Sequence, residues 1–136
     1  MKITGSCLCG SVRFEIDGRV SPIGLCHCSL CRKETGAGAA AQLITSRKSL
    51  RFTAGEEQLN TFRKPSGFGT RFCTQCGCPM PKLHPSGKIY WVPAGALDDD
   101  PGVPIAMHIY VGSKAPWDEI AGDAVQHLED WPERPQ

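Results

Sequence analysis

The run Ser11-Val12-Arg13-Phe14-Glu15-Ile16-Asp17 alternates apolar with polar positions, the period of a strand with one buried face. Asp17-Gly18 follows as a turn, and a second strand is expected from Val20 to Cys26. Further strands are expected at 39–44, 49–53, 58–63, 68–72, 88–93 and 105–111. Between them stand Thr53-Ala54-Gly55-Glu56, Pro65-Ser66-Gly67 and His84-Pro85-Ser86-Gly87, all turn chemistry. Helix is scarce: a short turn over Ser29–Thr35, stopped by Gly36, and one or two turns around Asp118–Leu128, weakened by Gly122. The small-residue run from Gly36 to Ala41 allows another strand or a ligand to approach closely. This pattern predicts a mainly β, compact antiparallel fold with few short helices.

Composition sharpens that picture. Fifteen Gly and eleven Pro beside 40% apolar residues suit a loop-rich β protein better than a helical bundle. A length of 136 residues fits a single domain over 1–136, with a core at about 3–117 and a tail at 118–136. Fifteen basic against fourteen acidic residues give a net charge of +1, which leaves no broad field for nucleic acid or an anionic membrane. No apolar run approaches the length of a membrane span or a signal peptide, so a cytoplasmic, reducing setting is expected. The acidic loop Asp98-Asp99-Asp100 lacks the spaced ligands of a calcium loop and reads as solvated.

The cysteines carry the chemistry. Eight occur, in three groups: Cys7 and Cys9; Cys26, Cys28 and Cys31; and Cys73, Cys76 and Cys78. In a reducing compartment such clusters point to metal before disulfides. Cys9 and Cys76 are each followed by Gly, the residue best able to take a left-handed turn that aims backbone N–H groups at sulfur. That shared feature favours Cys7, Cys9, Cys73 and Cys76 around one structural zinc, stapling the start of the chain to its middle. Cys26, Cys28 and Cys31 remain as a three-sulfur set. Three protein ligands and an open position are typical of catalytic zinc, and an incoming thiol would lose its proton there. Two blander readings stay open: a second structural zinc with Cys78 or His27 as fourth ligand, or no metal at all. Arg32 and Lys33 stand where they could lower thiol pKa values or receive an anion, though both also read as solvated charges. His27, His84 and His108 are isolated in sequence and read as structural residues. In a strand His27 would point away from the sulfurs beside it.

Four stretches together resemble the glutathione-dependent formaldehyde-activating enzyme family, which includes centromere protein V. They are Gly5-Ser6-Cys7-Leu8-Cys9-Gly10-Ser11-Val12, Cys26-His27-Cys28-Ser29-Leu30-Cys31-Arg32-Lys33, Arg71-Phe72-Cys73-Thr74-Gln75-Cys76-Gly77 and His108 to Trp117. The resemblance implies a β-tent fold, a structural zinc on Cys7, Cys9, Cys73 and Cys76, and a second, catalytic-type zinc on Cys26, Cys28 and Cys31. It further implies a carbon–sulfur lyase that joins a thiol such as glutathione to a small aldehyde, forming S-hydroxymethylglutathione from formaldehyde. Cys78 departs from the pattern, where related chains carry a small non-thiol residue. The competing expectation is a zinc-scaffolded binding module with only the structural metal and no catalysis.

Overall fold

The computed structural model describes residues 2–132. Eleven strands and one helix make up its regular structure: β1 (Lys2–Ser6), β2 (Arg13–Asp17), β3 (Ile23–Cys26), α1 (Ser29–Thr35), β4 (Ala40–Ser46), β5 (Leu50–Ala54), β6 (Leu59–Arg63), β7 (Gly69–Cys73), β8 (Lys82–Leu83), β9 (Ile89–Pro93), β10 (Ile105–Ile109) and β11 (Val125–Gln126). The mainly β expectation is met, with short 3-10 turns as the other helical structure.

Three sheets form. One is three-stranded in the order β1-β2-β5, one six-stranded in the order β11-β10-β3-β4-β9-β8, and one the hairpin β6-β7. Pairing is antiparallel except around β10, which runs parallel to both β3 and β11. The core sits where the alternation of β2 predicts. Phe14 and Ile16 pack with Val12, Ile3, Leu43, Leu50, Met80 and Val92, and Cys7 and Cys73 lie within the same cluster. Burying one such large side chain contributes on the order of 1.5–3 kcal/mol, so this cluster dominates stability.

Two expected features differ. β1 escapes the hydrophobic pattern because one of its two inward positions is Gly5. The ring of Phe14 fills the space a side chain there would need, and a Cβ on Gly5 would stand 2.2 Å from it. The segment Asp118–Leu128 is not helical. Gly122 takes a left-handed φ of 86°, and Val125–Gln126 instead extends alongside Met107 and His108. Of the expected tail at 118–136, residues 133–136 lie outside the described residues.

The acidic loop is exposed, as expected, and also tied down. Asp99 Oδ2 accepts from the Thr4 amide at 2.7 Å and its hydroxyl at 2.8 Å, while Ser6 Oγ donates to Asp98. The loop thereby pins the strand that leads into Cys7. Among the described residues, no helix is long and apolar enough to cross a membrane.

Candidate metal centres and the cleft beside them

The sulfurs sort into the two expected groups. Cys7, Cys9, Cys73 and Cys76 bring their sulfurs within 4.8 Å of one another, and Cys26, Cys28 and Cys31 do the same elsewhere. All eight cysteines are free thiols. Cys78 joins neither group, and His27 is not among the grouped residues.

The first group is assembled by two turns of the same hand. Gly10 has φ 80° and Gly77 φ 77°, each one residue after the second cysteine of its pair. Gly10 N–H donates to the Cys7 carbonyl and Gly77 N–H to the Cys73 carbonyl, closing both knuckles. Across the 64-residue separation, Cys9 Sγ lies 3.9 Å from Cys73 Sγ, and Cys7 Sγ lies 3.6 Å from Cys9 Sγ. A tetrahedron of Zn–S bonds of about 2.3 Å sets its sulfurs roughly 3.8 Å apart, so these thiols fit the ion. Their chemistry fits too. Burial opposes ionisation of Cys7, but the Val12 N–H, the Ser11 hydroxyl and the neighbouring thiols outweigh it and bring the thiol down to about 6. Ser11 Oγ stands 3.0 Å from Cys9 Sγ and 3.5 Å from Cys73 Sγ. Its hydrogen bond is also the main cause holding the Cys73 thiol below its ordinary value.

The second group is local and built on a strand end. Cys26 closes β3, held between Ala40 of β4 and Ile109 of β10. Cys28 caps α1, its sulfur accepting the Cys31 N–H at 3.3 Å. Gly36, at φ 70°, ends the helix by donating to the Arg32 carbonyl. A hydrogen bond from Cys31 brings Cys26 down to about 6 against its burial. Sharing that proton, together with burial and the neighbouring sulfurs, pushes Cys31 well above its ordinary value. Three thiols so close can all ionise only with a cation among them, and zinc is compatible with both groups.

Behind the triad lies a buried pair absent from the sequence reading. His27 turns away from the sulfurs, as strand alternation requires, and its Nε2 lies 2.9 Å from Nδ1 of His108. Both imidazoles are buried, at 2% and 5% exposure, and Asp118 Oδ2 stands 3.6 Å from His27 Nδ1. Burial, then the nearby His108, lowers the His27 pKa, with Asp118 opposing. The residues are 81 positions apart, so no local pattern announces the pair. The small-residue run explains how Asp118 arrives: a Cβ on Gly38 would stand 2.8 Å from Asp118 Oδ2.

In front of the triad opens a cleft of about 770 Å³ lined by Cys26, Cys28 and Cys31. Arg32 and Lys33 do not line it; Lys33 is exposed, and Arg32 reaches the Ser113 carbonyl at 3.4 Å. Its cations are Arg63, Arg71 and Lys82 instead, beside the carboxylates Glu56 and Asp130. The β6–β7 register sets Thr61 opposite Arg71 and Arg63 opposite Gly69, so one face of the hairpin presents both guanidiniums. Gly69 leaves room for Arg63 to lie across it, since a Cβ there would meet Arg63 Nη1 at 3.3 Å. Lys82 Nζ bonds the Gly69 carbonyl at 2.7 Å, pairs with Glu34 at 3.4 Å and lies 4.7 Å from the Phe68 ring centroid. Strand alternation in 58–63 and 68–72 leaves the shared face of the arginines open, because it is the pairing register that sets it.

Cys78 lines a separate cavity of about 630 Å³ with Cys7 and Met80. Burial raises its pKa, and its sulfur donates to the Pro79 carbonyl at 3.5 Å. It is a packed neighbour of the first group.

A β-sheet scaffold that gathers four thiols into a closed knuckle pair and three at the floor of a cleft defines a thiol-rich class of protein with two candidate metal sites. The profile of the glutathione-dependent formaldehyde-activating enzyme family matches residues 2–113. The chain belongs to that family. It is 30% identical over 128 residues to a Halomonas elongata protein that carries, provisionally, the same family name, covering 88% of this chain and 82% of that one. It also superposes on the crystal structure of a Rhodobacter sphaeroides protein with a TM-score of 0.58 and 26% identity. That match covers 75% of this chain and 98% of the other.

Proposed function

We propose that the chain is a zinc-dependent carbon–sulfur lyase working on adducts of an anionic thiol, of which glutathione is the type, with an aldehyde. The observation that carries this reading is the opening of the three-thiol group into a cleft lined by three cations and two carboxylates. Family membership and the name of the Halomonas relative support the thiol and aldehyde classes.

In this reading Cys26, Cys28 and Cys31 hold the catalytic zinc, and Cys7, Cys9, Cys73 and Cys76 hold the structural one. The bound ion supplies a charge that favours the thiolate of an incoming thiol at neutral pH. The chain's own residues do the rest. Arg63 and Arg71 offer the thiol's carboxylates paired donors from one face of the hairpin, and Lys82 adds a point charge beside them. Asp130 supplies the negative charge an ammonium group seeks, while Glu56, 3.7 Å from Arg71, holds that guanidinium at the cleft wall. Phe68 and Tyr110, packed against the triad, keep water from the sulfurs. In the addition direction a sulfur–carbon bond forms while the carbonyl π bond breaks, and the proton lost from the thiol ends on the former carbonyl oxygen. Cleavage reverses each transfer, and no oxidant or reductant is required. Positioning of the two reactants accounts for much of the expected rate gain. A reducing, cytoplasmic setting belongs to the same reading.

The test joins metal content to turnover. Wild type is expected to hold two zincs per chain and Cys28→Ser one. Exchange between formaldehyde and glutathione, followed by NMR, is expected to exceed the spontaneous rate in wild type alone. One zinc in both proteins favours a non-catalytic zinc-scaffolded binding module, whereas no acceleration by either refutes formaldehyde with glutathione as the substrate pair.

A further inference from the structure

The family profile ends at residue 113, yet the chain beyond it returns to the triad cleft. β11 pairs in parallel with Met107 and His108. Just past it, the amides of Tyr110 and Val111 donate to the carbonyls of Glu129 and His127 at 3.0 and 3.1 Å. This ladder delivers Asp130 and Trp131 to the wall of the cleft that Cys26, Cys28 and Cys31 also line. The ladder grips the backbone at an unusual point. Tyr110 holds φ 54° and ψ 38°, and it is the non-glycine residue with positive φ among those described. Such a conformation persists where the surroundings over-determine it, and it concentrates at ligand sites.

The walls of the cleft divide by chemistry. Arg63 and Arg71 occupy the hairpin side. Around the sulfurs Phe68, Ile109 and Tyr110 pack against Cys26, Cys31 and Ala40, while the Asp130 carboxylate lies close enough to oppose ionisation of Cys26 and Lys82 stands over the Phe68 ring. Trp131 adds an indole to the same cleft. The volume, about 770 Å³, lies within the range of roughly 300–1,000 Å³ that encloses ligands of drug size. A one-carbon aldehyde bonded to the thiol sulfur offers those rings no apolar surface, and they would stay wet. A larger carbon partner would cover them.

We infer that the carbon half of the thiol adduct taken by this cleft carries an aromatic or branched apolar group, and that Trp131, from the tail beyond the family match, selects for it. The inference rests on the thiol-adduct reading above and names its second substrate class.

Calorimetric titration of the zinc-loaded full chain with glutathione, S-methylglutathione and S-benzylglutathione tests it. The benzyl adduct is expected to bind about tenfold tighter than the methyl adduct. Trp131→Ala is expected to cut that ratio below about threefold while leaving the methyl adduct within about twofold of wild type. Trp131→Phe, which keeps a ring, is expected to retain most of the preference, and equal zinc content across the variants establishes that they fold. Equal affinity for the two adducts in wild type, or a preference that Trp131→Ala leaves intact, overturns the inference. If glutathione binds and needs Cys28 while the benzyl group adds nothing, this inference alone fails. If none of the three ligands binds, the thiol reading fails and takes the inference with it.

Discussion

The two cysteine groups offer one ligand chemistry in opposite settings. Cys7, Cys9, Cys73 and Cys76 join segments 64 positions apart and lie against the core of Phe14, Ile16 and Leu43. Cys26, Cys28 and Cys31 fall within a single strand end and helix cap, and they face a cleft. A group that closes a long loop stabilises the fold by constraining the unfolded chain. A group contained in six residues constrains little, so its thiols are available for other work. On the proposed reading, reach along the chain, more than ligand number, is what would separate the structural from the chemical site.

Removing a thiol from each group should break them apart most clearly. Cys7→Ser is expected to cost more than about 4 kcal/mol of stability, since loss of a structural metal belongs among the largest single-residue effects. Denaturant melts read by far-UV circular dichroism check it. Cys28→Ser is expected to shift the melt by less than about 1 kcal/mol while removing one metal per chain. A chelator titration should strip the triad before the four-thiol group. Equal destabilisation by the two substitutions would abolish the distinction drawn here.

A finer probe sits behind the triad. His27 follows Cys26 and precedes Cys28 in the chain, and its ring, turned away from their sulfurs, is held by His108 at 2.9 Å. His27→Phe keeps the bulk of the ring but leaves a buried nitrogen of His108 without its partner, a loss of about 1–3 kcal/mol. The backbone between Cys26 and Cys28 loses its anchor as well. Metal affinity at the triad is expected to fall about tenfold to a hundredfold, the usual range for support around a metal site. The four-thiol group should be unchanged, which competition with a chromophoric chelator on the Cys28→Ser background would establish. A fall at both groups would make His27 a residue of general stability only.

Local chemistry was legible in the chain; long-range meetings were not. The glycines after Cys9 and Cys76 pair the first group correctly because a left-handed turn is a property of one residue, and both adopt it at φ 80° and 77°. The alternation at Val12 to Ile16 likewise names core positions. β1 stayed hidden because a glycine occupies one of its inward positions, where the filling ring comes from Phe14 on the next strand. The His27–His108 pair and the parallel contact of β3 with β10 bring together residues some eighty positions apart, with no periodicity to mark them. Arg32 and Lys33 looked suited to the triad by adjacency, yet the helix carries them off the cleft, and the β6–β7 hairpin supplies its arginines.

The smallest expected effect concerns how each group is approached. The strand leading to Cys7 is pinned by Asp99, whose carboxylate accepts from both the amide and the hydroxyl of Thr4. Those two hydrogen bonds hold the Asp99 pKa below its ordinary value in the folded chain. The folded pKa is the depressed one, so the stabilisation is complete above the unfolded carboxylate pKa. It disappears as pH falls through the folded value. Asp99→Asn should therefore melt slightly below wild type at pH 7, and the gap should close as both are taken into the acid range. Both proteins lose any thiolate-bound metal alike in acid, so their difference isolates the carboxylate. Metal content at pH 7 should be the same in the two proteins, because the pin acts on the strand and not on the sulfurs. A gap that persists undiminished in acid would mean that the asparagine disturbs packing rather than removing a charge-assisted clasp. A loss of metal from the four-thiol group at pH 7 would mean that the clasp helps to set the sulfurs themselves, tying the structural group to the loop as well as to the core.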